Sequence, residues 1–181
     1  MTIRTSHAIT GVVGFILGAL LTPVLVQGQA SSAMTGTLAH IAFATKDVDK
    51  MGAAFSDVFG VKVNPGRVVR NVPFPPSYGG ATMNVKFVQF TANGVVFELL
   101  EPLDGASPWK DFIAKHGEGV HHIGFNVGNS TEARTMLESM GGKWTQAASP
   151  TSAYIDMEPK LPITFEVFGP RPTAPPAAAP K

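Results

Sequence analysis

Two histidines and two glutamates in this sequence stand at positions that repeat. Leu38-Ala-His40-Ile-Ala-Phe43 matches His121-His122-Ile-Gly-Phe125 with His40 opposite His122, and each histidine is followed twenty residues later by a glycine, Gly60 or Gly142. Val95-Val-Phe-Glu98-Leu-Leu-Glu-Pro102 matches Ile163-Thr-Phe-Glu166-Val-Phe-Gly-Pro170, which places Glu98 opposite Glu166. A histidine alone in a strand reads as a hydrogen-bonded core residue, and a glutamate alone can pair with Lys62 or Lys143. The matched repeat points all four to one metal site, because a carboxylate in an apolar run must be paired or bound to a cation. Two imidazoles and two carboxylates without sulfur suit one divalent metal: Fe, Mn, Co, Ni or Zn. Six-coordinate geometry leaves two positions that can chelate vicinal oxygens of a substrate, where the ion acts as a Lewis acid on a carbonyl.

The repeat implies two copies of one supersecondary unit. In the first, Leu38 to Ala44 reads as a strand. Asp47 to Val58 reads as an amphipathic helix, apolar at Val48, Met51, Phe55 and Val58 and stopped by Gly60. Met83 to Thr91 and Val95 to Leu100 form a hairpin around the Asn93-Gly94 turn. Val61 to Val63 is the expected short second strand, and the Pro/Gly-rich stretch from Asn64 is expected to be a mobile flap offering Arg67, Arg70, Phe74 and Tyr78 to an anionic or aromatic substrate. In the second copy Val120 to Val127 is a strand, Ser130 to Met140 a helix capped by Asn129 or Ser130, and Ser152 to Met157 and Ile163 to Phe168 complete the sheet. Ser107 to His116 reads as a linking helix with Pro108 in its first turn and Trp109 and Phe112 on its packing face. Strand alternation puts His40 on one face with Leu38 and Ala42, puts His122 with Val120 and Gly124, and turns His121 away. The expected fold class is α+β: two tandem βαβββ modules, 35–104 and 119–169, in a curved, partly closed mixed sheet around a central metal site.

The chain has 181 residues, 44% of them apolar and 15% charged, enough for one core. With 14 Lys plus Arg against 13 Asp plus Glu it offers no electrostatic case for nucleic acid. The absence of cysteine excludes disulfides, thiolate metal sites and a thiol nucleophile. Arg4 precedes Ala8 to Val26, nineteen residues without an ionisable side chain, and Gly28 and Ala30, or Ser31 and Ala33, offer small-residue cleavage sites. Residues 1–33 are therefore read as an export signal or, left uncut, a membrane anchor, with the folded unit periplasmic, secreted or held at the membrane through residues 8–26. Pro170 to Lys181, with five prolines in twelve residues, reads as a disordered tail.

The paired units resemble the vicinal oxygen chelate superfamily of glyoxalase I, extradiol dioxygenases, bleomycin resistance proteins and methylmalonyl-CoA epimerase. The resemblance covers about Leu38 to Phe168. It points most closely to the epimerase branch through Phe97-Glu-Leu-Leu-Glu-Pro-Leu-Asp104, Ser107-Pro108, Phe112-Ile113, Lys115 and Gly119-Val-His-His-Ile-Gly-Phe-Asn-Val127. It implies metal ligands at His40, Glu98, His122 and Glu166. From the glyoxalases it implies a double role in which Glu98 or Glu166 also serves as the catalytic base. It further implies an acid or base carboxylate in the loop before the hairpin, but Val63 to Thr82 contains no Asp or Glu. The resulting expectation is an exported metal-dependent lyase or isomerase that transfers a proton next to a chelated carbonyl of a small substrate. An Fe(II)-dependent dioxygenase and a metal-free binding module are the alternatives. Exposed sheet edges are compatible with a homodimer.

Overall fold

The computed structural model of the protein describes residues 35–73, 80, 82–147, 149, 151–158 and 160–170. Residues 1–33, read from the sequence as an export signal or anchor, the expected tail from residue 171, and Phe74 and Tyr78 lie outside the described residues.

Short polar side chains open each helix by accepting first-turn amides. Asp47 accepts the Lys50 amide ahead of α1 (Val48–Phe59), which follows β1 (Gly36–Ala44). Gly60 ends the helix at φ 65°, a left-handed conformation that glycine adopts without penalty. Then come β2 (Arg67–Pro73), β3 (Thr82–Ala92) and β4 (Val95–Pro102). Ser107 caps α2 (Pro108–His116), with Pro108 in its first turn. The second module is β5 (Gly119–Val127), α3 (Ser130–Ser139) capped by Asn129, β6 (Lys143–Gln146), β7 (Ser152–Asp156) and β8 (Thr164–Phe168).

All eight strands form one curled mixed sheet in the order β2-β3-β4-β1-β5-β8-β7-β6. The order reads alike in both directions from the antiparallel β1–β5 seam, and β1–β4 and β5–β8 are the matching parallel pairs. Both modules are thus βαβββ, related by a local twofold axis at the seam. On the outer face Val48, Met51 and Phe55 of α1 pack on Val88, Phe90 and Leu99, while Ala133 and Leu137 of α3 pack on Ile155 and Val167. On the inner face α2 sets Trp109, Phe112 and Ile113 against Ala42, Leu100 and Tyr154.

Four local expectations need correction. Val61 to Val63 is not a strand; Val61 and Val63 pack against the α1 cluster instead. The second strand is β2, inside the stretch expected to be a flap. Its pairing with β3 steps between Val69 and Val72, where Asn71 takes φ 57°, and this bulge erases the two-residue periodicity that marks a strand. Strand β6 is an addition to the expected second module, four residues being too short to show a periodicity. Val58, expected on the apolar face of α1, is 77% exposed.

Candidate metal centre

A bulge places each histidine. Leu38 pairs with Phe125 and His40 with Gly124, leaving Ala39 as the extra residue; Ala42 pairs with His122 and Phe43 with Val120, leaving His121 extra. The two extra residues are equivalent in the repeat, each immediately before a ligand candidate. A bulge reverses strand alternation, so Leu38 and Val120 are exposed while His40 and His122 turn inward and are buried. His121 likewise lies beside His122, with their Nδ1 atoms 3.0 Å apart, not across the sheet from it as simple alternation predicts. Gly124 leaves space for the His40 ring: a Cβ there would stand 2.6 Å from His40 Cε1.

Three of the four expected ligands converge. His40 Nε2 lies 3.0 Å from His122 Nε2, and Glu166 Oε2 lies 3.3 Å from the first and 3.2 Å from the second. Around an ion with bonds of about 2.1 Å, adjacent octahedral ligands stand about 3.0 Å apart and tetrahedral ones about 3.4 Å. The three atoms therefore fit three neighbouring corners of a coordination shell. Two imidazole lone pairs and a carboxylate do not converge stably without a cation or proton between them.

Glu98 stands a step back. Its Oε1 is 3.8 Å from His122 Nε2, and its Oε2 accepts the Gln89 amide at 2.6 Å. Burial raises the Glu98 pKa, against the lowering charges of His122 and His40. Burial also acts to raise Glu166, but the hydrogen bonds of His122 and His40 outweigh it and hold this carboxyl below its ordinary range. For His40, burial favours the neutral ring, yet the Glu166 hydrogen bond and the charges of Glu98 and Glu166 prevail and raise it. The two glutamates, alike in sequence, thus have different surroundings.

Neighbours overlooked in the sequence complete the site. Gln89 faces Glu98 across β3–β4, and Tyr154 faces Glu166 across β7–β8 at the equivalent place. Burial, then the charges of Glu166 and Glu98, pushes the Tyr154 phenol well up and keeps it protonated. Gln89 was legible in principle, because a two-residue Asn93-Gly94 turn fixes the register that sets 89 against 98. Of the proposed substrate contacts, Arg67 and Arg70 are exposed on the edge strand β2, and the Arg67 guanidinium lies 4.9 Å over the Phe87 ring.

The sequence profile of the Glyoxalase/Bleomycin resistance protein/Dioxygenase superfamily matches residues 39–156. The chain belongs to that superfamily. Among curated relatives of this superfamily member, the ethylmalonyl-CoA/methylmalonyl-CoA epimerase of Cereibacter sphaeroides is 28% identical over 118 residues, 65% of this chain and 80% of that protein. The mitochondrial methylmalonyl-CoA epimerase of Mus musculus is 34% identical over 110 residues, 59% of this chain and 56% of the relative, so the match spans little more than half of the mouse protein. Among solved structures, methylmalonyl-CoA epimerase from Mycobacterium tuberculosis superposes with TM-score 0.55 at 20% identity, covering 79% of this chain and 93% of the other. The Streptomyces coelicolor epimerase in complex with 2-nitronate-propionyl-CoA gives TM-score 0.51 at 21% identity, covering 74% and 96%. These two likenesses are of fold. The profile match ends ten residues before Glu166, so it is the strand pairing of β8 with β5 that brings this carboxylate to the histidines.

Proposed function

We propose that the chain is a divalent-metal-dependent enzyme that moves a proton to or from the carbon next to a metal-chelated carbonyl, in the manner of epimerases and glyoxalases. His40, His122 and Glu166 hold the ion, and Glu98 carries the proton. A bound divalent ion supplies Lewis-acid polarisation of the carbonyl oxygen, which acidifies the neighbouring C–H. The observation that carries the reading is the convergence of three ligand atoms with a second buried carboxylate just outside them. Burial keeps Glu98 a stronger base than an exposed carboxylate, and the Gln89 amide holds one of its oxygens while the other faces the ligand cluster. The flap stretch supplies no rival carboxylate. Export through residues 1–33 belongs to the same proposal and rests on the sequence alone; it favours small oxygenated substrates outside the cytoplasm over coenzyme A thioesters.

The test follows solvent deuterium into methylmalonyl-CoA and into the glutathione hemithioacetal of methylglyoxal. Glu98→Gln is expected to lose about 10²- to 10⁴-fold in exchange rate while retaining its metal, whereas Glu166→Gln loses the metal itself. Undiminished exchange by Glu98→Gln overturns the assignment of the base. One observation favours a second reading: two histidines and one carboxylate on adjacent corners are also the ligand set of non-haem Fe(II) oxygenases. Oxygen uptake with Fe(II) and a catechol, in place of deuterium exchange, would select it.

A further inference from the structure

His121 has no part in the repeat-derived ligand set, yet it is buried at 4% exposure and touches a ligand. Resting on the metal reading above, we propose that His121 is a positioning residue: it accepts the Nδ1–H of His122 and so presents His122 Nε2, bare, to the metal. The 3.0 Å separation of the two Nδ1 atoms is a hydrogen bond, and one of them must carry the proton. If His121 donated, the His122 proton would sit on Nε2, which points into the cluster of His40 and Glu166, and ligation through that atom would be blocked. With an ion bound, the donating partner is therefore His122, and His121 holds its own proton on Nε2.

Three further features support this assignment. The β5 bulge brings the two rings to one side, a contact that regular alternation forbids. Phe112 of α2 stands edge-on to His121 with ring centroids 5.2 Å apart and fixes its plane. His121 also lines a cavity of about 380 Å³ with Asp156, Glu158 and Thr164, giving its Nε2–H a polar neighbourhood. The arrangement is one-sided: Ala39 occupies the equivalent bulge before His40 and has no side-chain acceptor to offer. Ligating histidines generally need such an outer partner to fix tautomer and ring orientation.

The test uses the full chain and compares wild type with His121→Phe, which keeps the ring volume without an acceptor, and His121→Asn, whose amide oxygen can stand where Nδ1 does. Competition titrations of Zn(II) against a chromophoric chelator are expected to show His121→Phe weakened about 10- to 100-fold and His121→Asn within a few-fold of wild type. Nitrogen-15 NMR of the Zn(II)-loaded wild type is expected to show His122 protonated on Nδ1. Equal Zn(II) affinity in wild type and His121→Phe, or a His122 Nδ1 without a proton in the Zn(II)-loaded protein, overturns the proposal. If His121→Phe does not fold, the wild-type tautomer and the Asn variant decide. If wild type itself binds no Zn(II), the metal reading fails first, and nitrogen-15 NMR of the metal-free protein still shows whether a proton is shared between the two Nδ1 atoms; its absence overturns the His121–His122 bond as well.

Discussion

Proton occupancy of His40, Glu98, Glu166 and the neighbouring His121 sets the pH dependence of the metal-free site; burial holds His121 well below the ordinary imidazole value, so its contribution is complete above about pH 6.5 and is lost on acidification. His40 is raised in the fold, so its contribution is present below about pH 6.5, the ordinary imidazole value, and is lost as pH climbs through its raised value. Glu98 is raised too, so folding favours its protonated form and this contribution is likewise lost on alkalinisation. Glu166 is lowered; its contribution is present above its ordinary value and is lost only on acidification through the lowered one. The metal-free chain is therefore expected to lose Tm between about pH 6.5 and 8, where His40 and Glu98 act without opposition from His121, with a divalent ion abolishing the fall. Melting curves in chelator at the two pH values check this; a Tm that rises with pH contradicts it. The sequence revealed the four residues because the duplication printed each twice. It did not separate Glu98 from Glu166, since their difference lies in partners, Gln89 against the two histidines, that no local pattern contains.

Among the elements, β1 and β5 do most to shape the site, and their bulges are what alternation missed. Periodicity identified both strands, all three helices and the β3–β4 hairpin, because their apolar faces meet a core. It missed β2 and β6, which lie at the sheet edges, one broken by a bulge and the other four residues long. Periodicity also turned His121 away from His122, since one extra residue reverses every side chain that follows. Gly124 is the element-scale test. An alanine Cβ there meets the buried His40 ring at 2.6 to 2.9 Å and must push it aside, whereas at Gly119 on the same strand nothing lies within 4 Å. Gly124→Ala is expected to weaken metal binding at least tenfold and Gly119→Ala to leave it unchanged, both read by Zn(II) titration. Equal affinity in the two variants would mean that the His40 ring position does not govern ligation.

At the scale of the whole molecule, the duplication makes the site. Residues 82 positions apart, His40 and His122, meet only because β1 and β5 join the two modules edge to edge, and β4 and β8 then carry one glutamate each to the same seam. The fold class and superfamily were legible for this reason: a twofold repeat with matched ligand types has few ways to close. The chemistry of the substrate was not, because the curl is shared by the superfamily while the residues at its mouth belong to each chain. All of this chemistry depends on an ion held at the seam. Metal analysis of the full chain purified without chelators, beside the His40→Ala/His122→Ala double variant, is the direct test. One equivalent in the wild type and none in the variant is expected. No bound metal in the wild type, with no thermal stabilisation by Mn(II), Co(II), Ni(II), Zn(II) or anaerobic Fe(II), would contradict the account and leave a metal-free binding module in its place.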